Sequence, residues 1–85
     1  MLDRTNARER LAAIVRPIIE GQPFGRPDRL DGDLREAGLT SLDLVKVVLA
    51  IETEFGLTLD ADDMHPENLQ TLDAMEELVS RLQAA

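Results

Sequence analysis

The side chains able to act as nucleophile, base or metal ligand are few and scattered. The chain has one histidine, His65 in "MHPEN", and no cysteine. A single imidazole without thiolates does not assemble a usual zinc site. "DADDMHPE" clusters carboxylates, but it lacks the spacing and central glycine of a calcium loop. No glycine-rich phosphate loop is present. Serine, histidine and aspartate all occur, yet His65 beside Pro66 reads as a surface turn residue rather than the base of a triad. A chain this small has little room to wall a concave pocket. The expectation is therefore no metal site, no catalytic residue and no enzyme.

One hydroxyl stands out, in "EAGLTSLDLVKVVLAIETEFG", Glu36 to Gly56. Thr40 and Ser41 directly precede a long apolar run. Both are favoured helix caps, but a helix start needs only one. With Thr40 as cap, Asp43 falls three residues later, as in a capping box with a shortened acid. Ser41 is then the first helical residue, with a spare hydroxyl. A phosphodiester on it would lie at the positive end of the helix dipole, near free backbone N–H groups. On physical grounds alone, a plain cap and an attachment point both remain open.

The elements that must position Ser41 are helical. Ala7, Leu11, Ile14, Val15, Ile18 and Ile19 form one stripe of a first helix. Asp3, Thr5 and Asn6 are its candidate caps, and Pro17 removes a donor inside it, which predicts a kink or change there. Gly21 to Gly32 is rich in glycine and proline and reads as a loop, long for so small a chain. Phe24 and Leu30 are expected to pin it to the core. Leu34 to Ala37 predicts a single turn stopped at Gly38. The second helix runs from Thr40 or Ser41 to near Gly56; its β-branched residues suit a strand, but its length and its caps favour helix. Asp60 should cap a short helix through Met64, which Pro66 ends or restarts as a turn. Thr71 should cap a last amphipathic helix with Leu72, Met75, Leu78, Val79 and Leu82 facing inward. The fold class is all-α: three main helices, one short helix and a long first loop. Eighty-five residues make one domain, 1–85.

Charge narrows the partners. The net charge is −8. Residues 1–35 carry seven arginines against six acids; residues 36–85 carry Lys46 and Arg81 against eleven acids. Such a surface repels nucleic acid and anionic lipid and favours partners with basic patches. No apolar run reaches the roughly 18–20 residues that span a bilayer, and "MLDRTNARER" lacks the apolar core of a secretory signal. The absence of cysteine suits a reducing cytosol.

From about Asp33 to Leu82 the sequence resembles the acyl and peptidyl carrier proteins. The shared features are Gly38 three residues before Ser41-Leu42, the Val45–Gly56 run ending in "EFG", Leu59-Asp60, Leu69 and Thr71-Leu72. The resemblance implies a four-helix bundle of acyl-carrier type. It implies a covalent 4′-phosphopantetheine arm on Ser41, attached by a phosphopantetheinyl transferase from coenzyme A. The arm's thiol would hold an acyl group as a thioester for the enzymes of lipid or secondary metabolism, fatty acid biosynthesis among them. Activating ligases and acyl-transfer enzymes would be the partners of a cytoplasmic monomer. An aminoacyl or peptidyl carrier is the alternative, and an unmodified helical adaptor is a third reading from another class. Departures from the fatty-acid pattern are Thr40 where aspartate is common, Lys46 where an acid is common, and the extended "HPEN" segment. They point to a specialised member.

Two apolar stripes share the second helix. Leu44, Val48, Ile51 and Phe55 suffice for a core, which leaves Leu42, Val45 and Leu49 partly exposed, a mark of a partner site. The expected partner surface is Leu42, Asp43, Val45, Lys46, Leu49 and Glu52. A sheltered acyl chain would be lined by core residues that include Phe24, Phe55, Met64 and Met75; a filled aliphatic core is the alternative.

Overall fold

The computed structural model describes residues 4–84. Helix α1 spans Arg4–Glu20, α2 Ser41–Phe55, α3 Pro66–Leu69 and α4 Leu72–Ala84, with a 3₁₀ turn at Ala61–Met64. This is an all-helical bundle of acyl-carrier type, with three long helices and no strand among the described residues. Helix α1 packs on α4 and α2, and α3 packs on α4. Thr5 and Asn6 lie inside α1 rather than capping it, and Asp3 lies outside the described residues. Helix α1 continues three residues beyond Pro17.

The core is aliphatic. Leu11, Val15 and Ile19 of α1 meet Val47, Val48 and Ile51 of α2, and Leu72, Met75, Leu78 and Val79 of α4. Leu82 is half-buried at its edge. The connection from Gly21 to Thr40 forms a wall of this core, because Leu30, Leu34, Ala37 and Leu39 are all buried. Phe24 does not pin it and is exposed. The four aliphatic residues take the inward places, and the tip carrying Phe24 turns out to water. Backbone bonds hold the connection without regular structure. Arg26 N–H donates to the Ala37 carbonyl at 2.6 Å, and Leu34 N–H donates to the Gln70 carbonyl at 2.8 Å. The expected turn at Leu34–Ala37 is present, and Gly38 follows with φ +116°.

Two arginines of α1 add polar ties. Arg8 donates to Glu76 at 2.8 Å and also to Asp73. The hydrogen bond to Glu76, then that to Asp73, holds its guanidinium above its ordinary pKa. Glu76 is buried, so removing Arg8 would strip a desolvated carboxylate of this partner. Arg10 bonds the Glu54 carboxylate and main-chain carbonyl, and its guanidinium lies 4.3 Å from the Phe55 ring centroid.

Of the glycines, Gly25 lies closest to other backbone. A Cβ there would stand 1.8 Å from the Ile19 carbonyl oxygen, whereas one at Gly32 would meet nothing. Gly25→Ala should therefore lower unfolding free energy by about 2 kcal/mol or more, and Gly32→Ala should change it by about 0.5 kcal/mol or less. Chemical denaturation of the two variants checks the contrast. Equal stabilities would mean that the Gly25 backbone is free to shift.

Candidate functional site at the start of the second helix

Thr40 caps α2 with extended backbone (φ −100°, ψ 169°). Asp43 N–H donates to Thr40 Oγ1 at 3.2 Å, and Thr40 N–H donates to Asp43 Oδ2 at 2.9 Å. This is the reciprocal box expected from the Thr40/Asp43 spacing. At the other end Gly56 is left-handed (φ 65°) and donates to the Glu52 carbonyl. Ser41 is the first helical residue and is exposed. Among the described residues no hydrogen bond engages its hydroxyl. The first turn of a helix leaves N–H groups without intrahelical acceptors, and the box satisfies that of Asp43 while those of Ser41 and Leu42 stay available. Of the other hydroxyls, Thr40 and Thr71 cap helices and Thr53 donates to the Leu49 carbonyl. Ser80 lies within α4, and Thr58 in the link after α2.

The expected partner surface is mostly on one exposed face. Leu42 is 81% exposed, and Val45 and Leu49 are each 59% exposed. Lys46 is exposed beside them. Asp43 is a correction: it is only 3% exposed. Its carboxylate turns inward to serve the cap and to accept from Gln22 Nε2 at 2.7 Å, with Lys46 Nζ 3.9 Å away. Glu52 is half-buried because it accepts the Leu59 N–H at 2.9 Å. Gln22, 21 positions away, is the site residue that sequence reasoning missed.

A largely apolar groove of about 350 Å³ opens between α2 and residues 61–69. Ser41 stands at one end and Glu52 at the other, with Leu44, Val45, Val48, Leu49, Met64 and Leu69 between. The two ends lie eleven positions apart along the helix, about 16 Å. Met64 lines this groove and is 44% exposed, so it is not a core residue, whereas Met75 is fully buried. A second depression, around Asp28, Asp31, Asp33 and Glu36, is acidic apart from Arg29. There the Arg35 side chain, through its hydrogen bond, holds the Asp33 carboxyl below the usual carboxylate range. Among the described residues no cluster of histidine and acid side chains could hold a metal. His65 is exposed where α3 begins. No described helix is long and apolar enough to cross a membrane.

The family of phosphopantetheine attachment sites matches residues 10–79. The chain belongs to the carrier-protein family. Its cofactor is 4′-phosphopantetheine, held covalently. The chain is 33% identical over 82 residues to aminoacyl carrier protein 1 of Bradyrhizobium diazoefficiens, covering 95% of this chain and 91% of that protein. It is 28% identical over 74 residues to aminoacyl carrier protein 2 of the same organism, covering 87% of this chain and 83% of that one. No solved structure matches it significantly. An accessible hydroxyl with no protein partner, beside free N–H groups at a helix start, fits the phosphodiester that such a cofactor requires.

The box makes a stability prediction. Thr40→Ala should cost about 1 kcal/mol, the usual value of a cap. Asp43→Ala should cost about 2 kcal/mol, since it also leaves the Gln22 amide and Thr40 N–H without their acceptor. The double variant should cost less than the sum, because the residues share one network. Urea denaturation of the three variants measures this. A harmless Asp43→Ala would mean that the carboxylate is dispensable to the site.

Proposed function

We propose that this chain is an aminoacyl carrier with its arm on Ser41. The observation that carries the aminoacyl class is the pair of relatives, both named aminoacyl carrier proteins, that align with 95% and 87% of this chain. The acyl-carrier reading, with a role in fatty acid or other lipid metabolism, is the second one, and the apolar groove beside Ser41 favours it. In both, residues 1–85 act as a single carrier domain, a cytoplasmic monomer without catalysis of its own, nucleic acid or membrane.

When bound, the arm supplies a terminal thiol that holds cargo as a thioester. The chain supplies the rest. Thr40 and Asp43 fix the first turn of α2, so that Ser41 presents its oxygen to a phosphopantetheinyl transferase. The hydroxyl would give its proton to the transferase as its oxygen takes the place of the coenzyme A nucleotide on phosphorus, and the free N–H groups of Ser41 and Leu42 would hold the resulting phosphodiester. Leu42, Val45, Lys46 and Leu49 form the face on which the transferase, an activating ligase and downstream acyl-transfer enzymes dock, with Glu52 at its margin. Asp43 supports that face from beneath. Tethering cargo to this surface raises its effective concentration at each partner's site.

The test is a loading assay. Wild type and Ser41→Ala are treated with coenzyme A and a broad-specificity transferase. Each is then offered ATP with labelled amino acids and an amino-acid ligase, or labelled fatty acids and an acyl ligase. The expected result is aminoacyl label on wild type alone. Fatty-acid label alone would replace the aminoacyl reading with the acyl one. Label retained by Ser41→Ala would remove Ser41 as the site. Failure of the wild type to gain the arm would leave the adaptor reading.

A further inference from the structure

The connection between α1 and α2 carries one aromatic, and it is in water: Phe24 is 91% exposed, more than any other large apolar residue described. The tip that bears it is firmly held. Gly25 presses its backbone against the Ile19 carbonyl on one side. On the other, a Cβ at Gly38 would fall 3.0 Å from Gly25 Cα. Gly25 N–H donates to the Gln22 carbonyl at 3.2 Å. Gln22 in turn donates to Asp43, the carboxylate that closes the cap of α2. The chain on both sides of Phe24 is thus fastened to the corner that presents Ser41.

These contacts bound the separation. Through Gly25, Gly38 and three further residues, the Cα atoms of Phe24 and Ser41 lie at most about 20 Å apart. A standard interface covers about 800 Å² on each partner, a patch roughly 30 Å across. One partner can therefore cover both residues. Arg26, two positions beyond Phe24, is exposed, and no carboxylate among the described residues pairs with it.

We infer that Phe24 is a docking anchor for the enzyme that modifies Ser41, received in an apolar socket with an acidic edge facing Arg26. This rests on the reading of Ser41 as the attachment site. Charging enzymes dock on the outer face of α2 but react at the far end of a flexible arm, so they need not reach past Ser41 to the tip that bears Phe24. The modifying enzyme must bring its reacting centre to Ser41 Oγ, so it must cover the ground around it. Aromatic side chains are enriched at interfaces and among the residues that dominate binding. Arg26 supplies the charge that steers the encounter.

The experiment measures uptake of the arm by intact mass, with coenzyme A, Mg²⁺ and a transferase that modifies the wild-type chain. Phe24→Ala should raise KM on the order of fivefold to tenfold, as loss of an anchor does, with kcat little changed. Phe24→Leu should recover part of the loss. Arg26→Glu should raise KM at low salt and less at high salt. Thermal midpoints should match wild type, because both side chains are exposed. An unchanged KM for Phe24→Ala, with wild type modified normally, overturns the anchor and leaves Ser41 standing. A defect confined to later charging of the modified protein also overturns it, by assigning Phe24 to another partner. A wild-type chain that gains no arm at Ser41 overturns the attachment reading and the anchor together.

Discussion

The start of α2 depends on a buried carboxylate. Asp43 accepts the Thr40 N–H and the Gln22 amide while Thr40 Oγ1 accepts the Asp43 N–H. Because Thr40 does the capping, Ser41 is relieved of it, and a serine that would otherwise bond its own helix is left with a free hydroxyl. The same carboxylate fastens the long connection to α2, so the local cap and the tertiary fold are one network. Its burial raises the stakes, since each partner removed leaves a desolvated polar group behind.

Around this corner the backbone approaches itself closely. Gly25 lies against Ile19 and Gly38 with no room for a side chain at the first contact, and Gly38 takes a φ that favours glycine. These contacts let twenty irregular residues act as a wall rather than a tether. The aliphatic residues of that wall complete the core, which leaves the outer stripe of α2 unpartnered. Val45 and Leu49 are exposed apolar side chains that line a groove beginning at Ser41, and Leu42 adds exposed apolar surface on the same helix.

What the sequence revealed was local. The Thr40–Asp43 box, the Asp60 cap and the Gly56 stop each involve neighbours within a turn or so and are legible as spacing, whereas Asp63 as the reciprocal partner of Asp60 is a finding of the structure. The two stripes of α2 were legible as helical period. Helical period groups Asp43 with the exposed face, but it lies about 100° round the helix from Leu42, at the margin of that face, where cap geometry decides the direction of the side chain. Gln22–Asp43, Arg8–Glu76 and Arg10–Glu54 are illegible in the sequence, because their partners are 21, 68 and 44 positions apart and only the packed fold brings them together. Hydrophobic type assigns Phe24 and Met64 to the core, but type alone does not say which side chains the available interior admits. It went to smaller aliphatic residues of the same loop and to Met75.

On the proposed reading the capping box assigns one hydroxyl to the fold and leaves its neighbour for the cofactor. Peptide mapping by tandem mass spectrometry, after treatment of the wild-type chain with coenzyme A and a phosphopantetheinyl transferase, tests it most directly, because Thr40 and Ser41 are adjacent and chemically alike. The phosphopantetheine mass is expected on Ser41 and not on Thr40. An arm found on Thr40 or Ser80, or no arm at all, would contradict it.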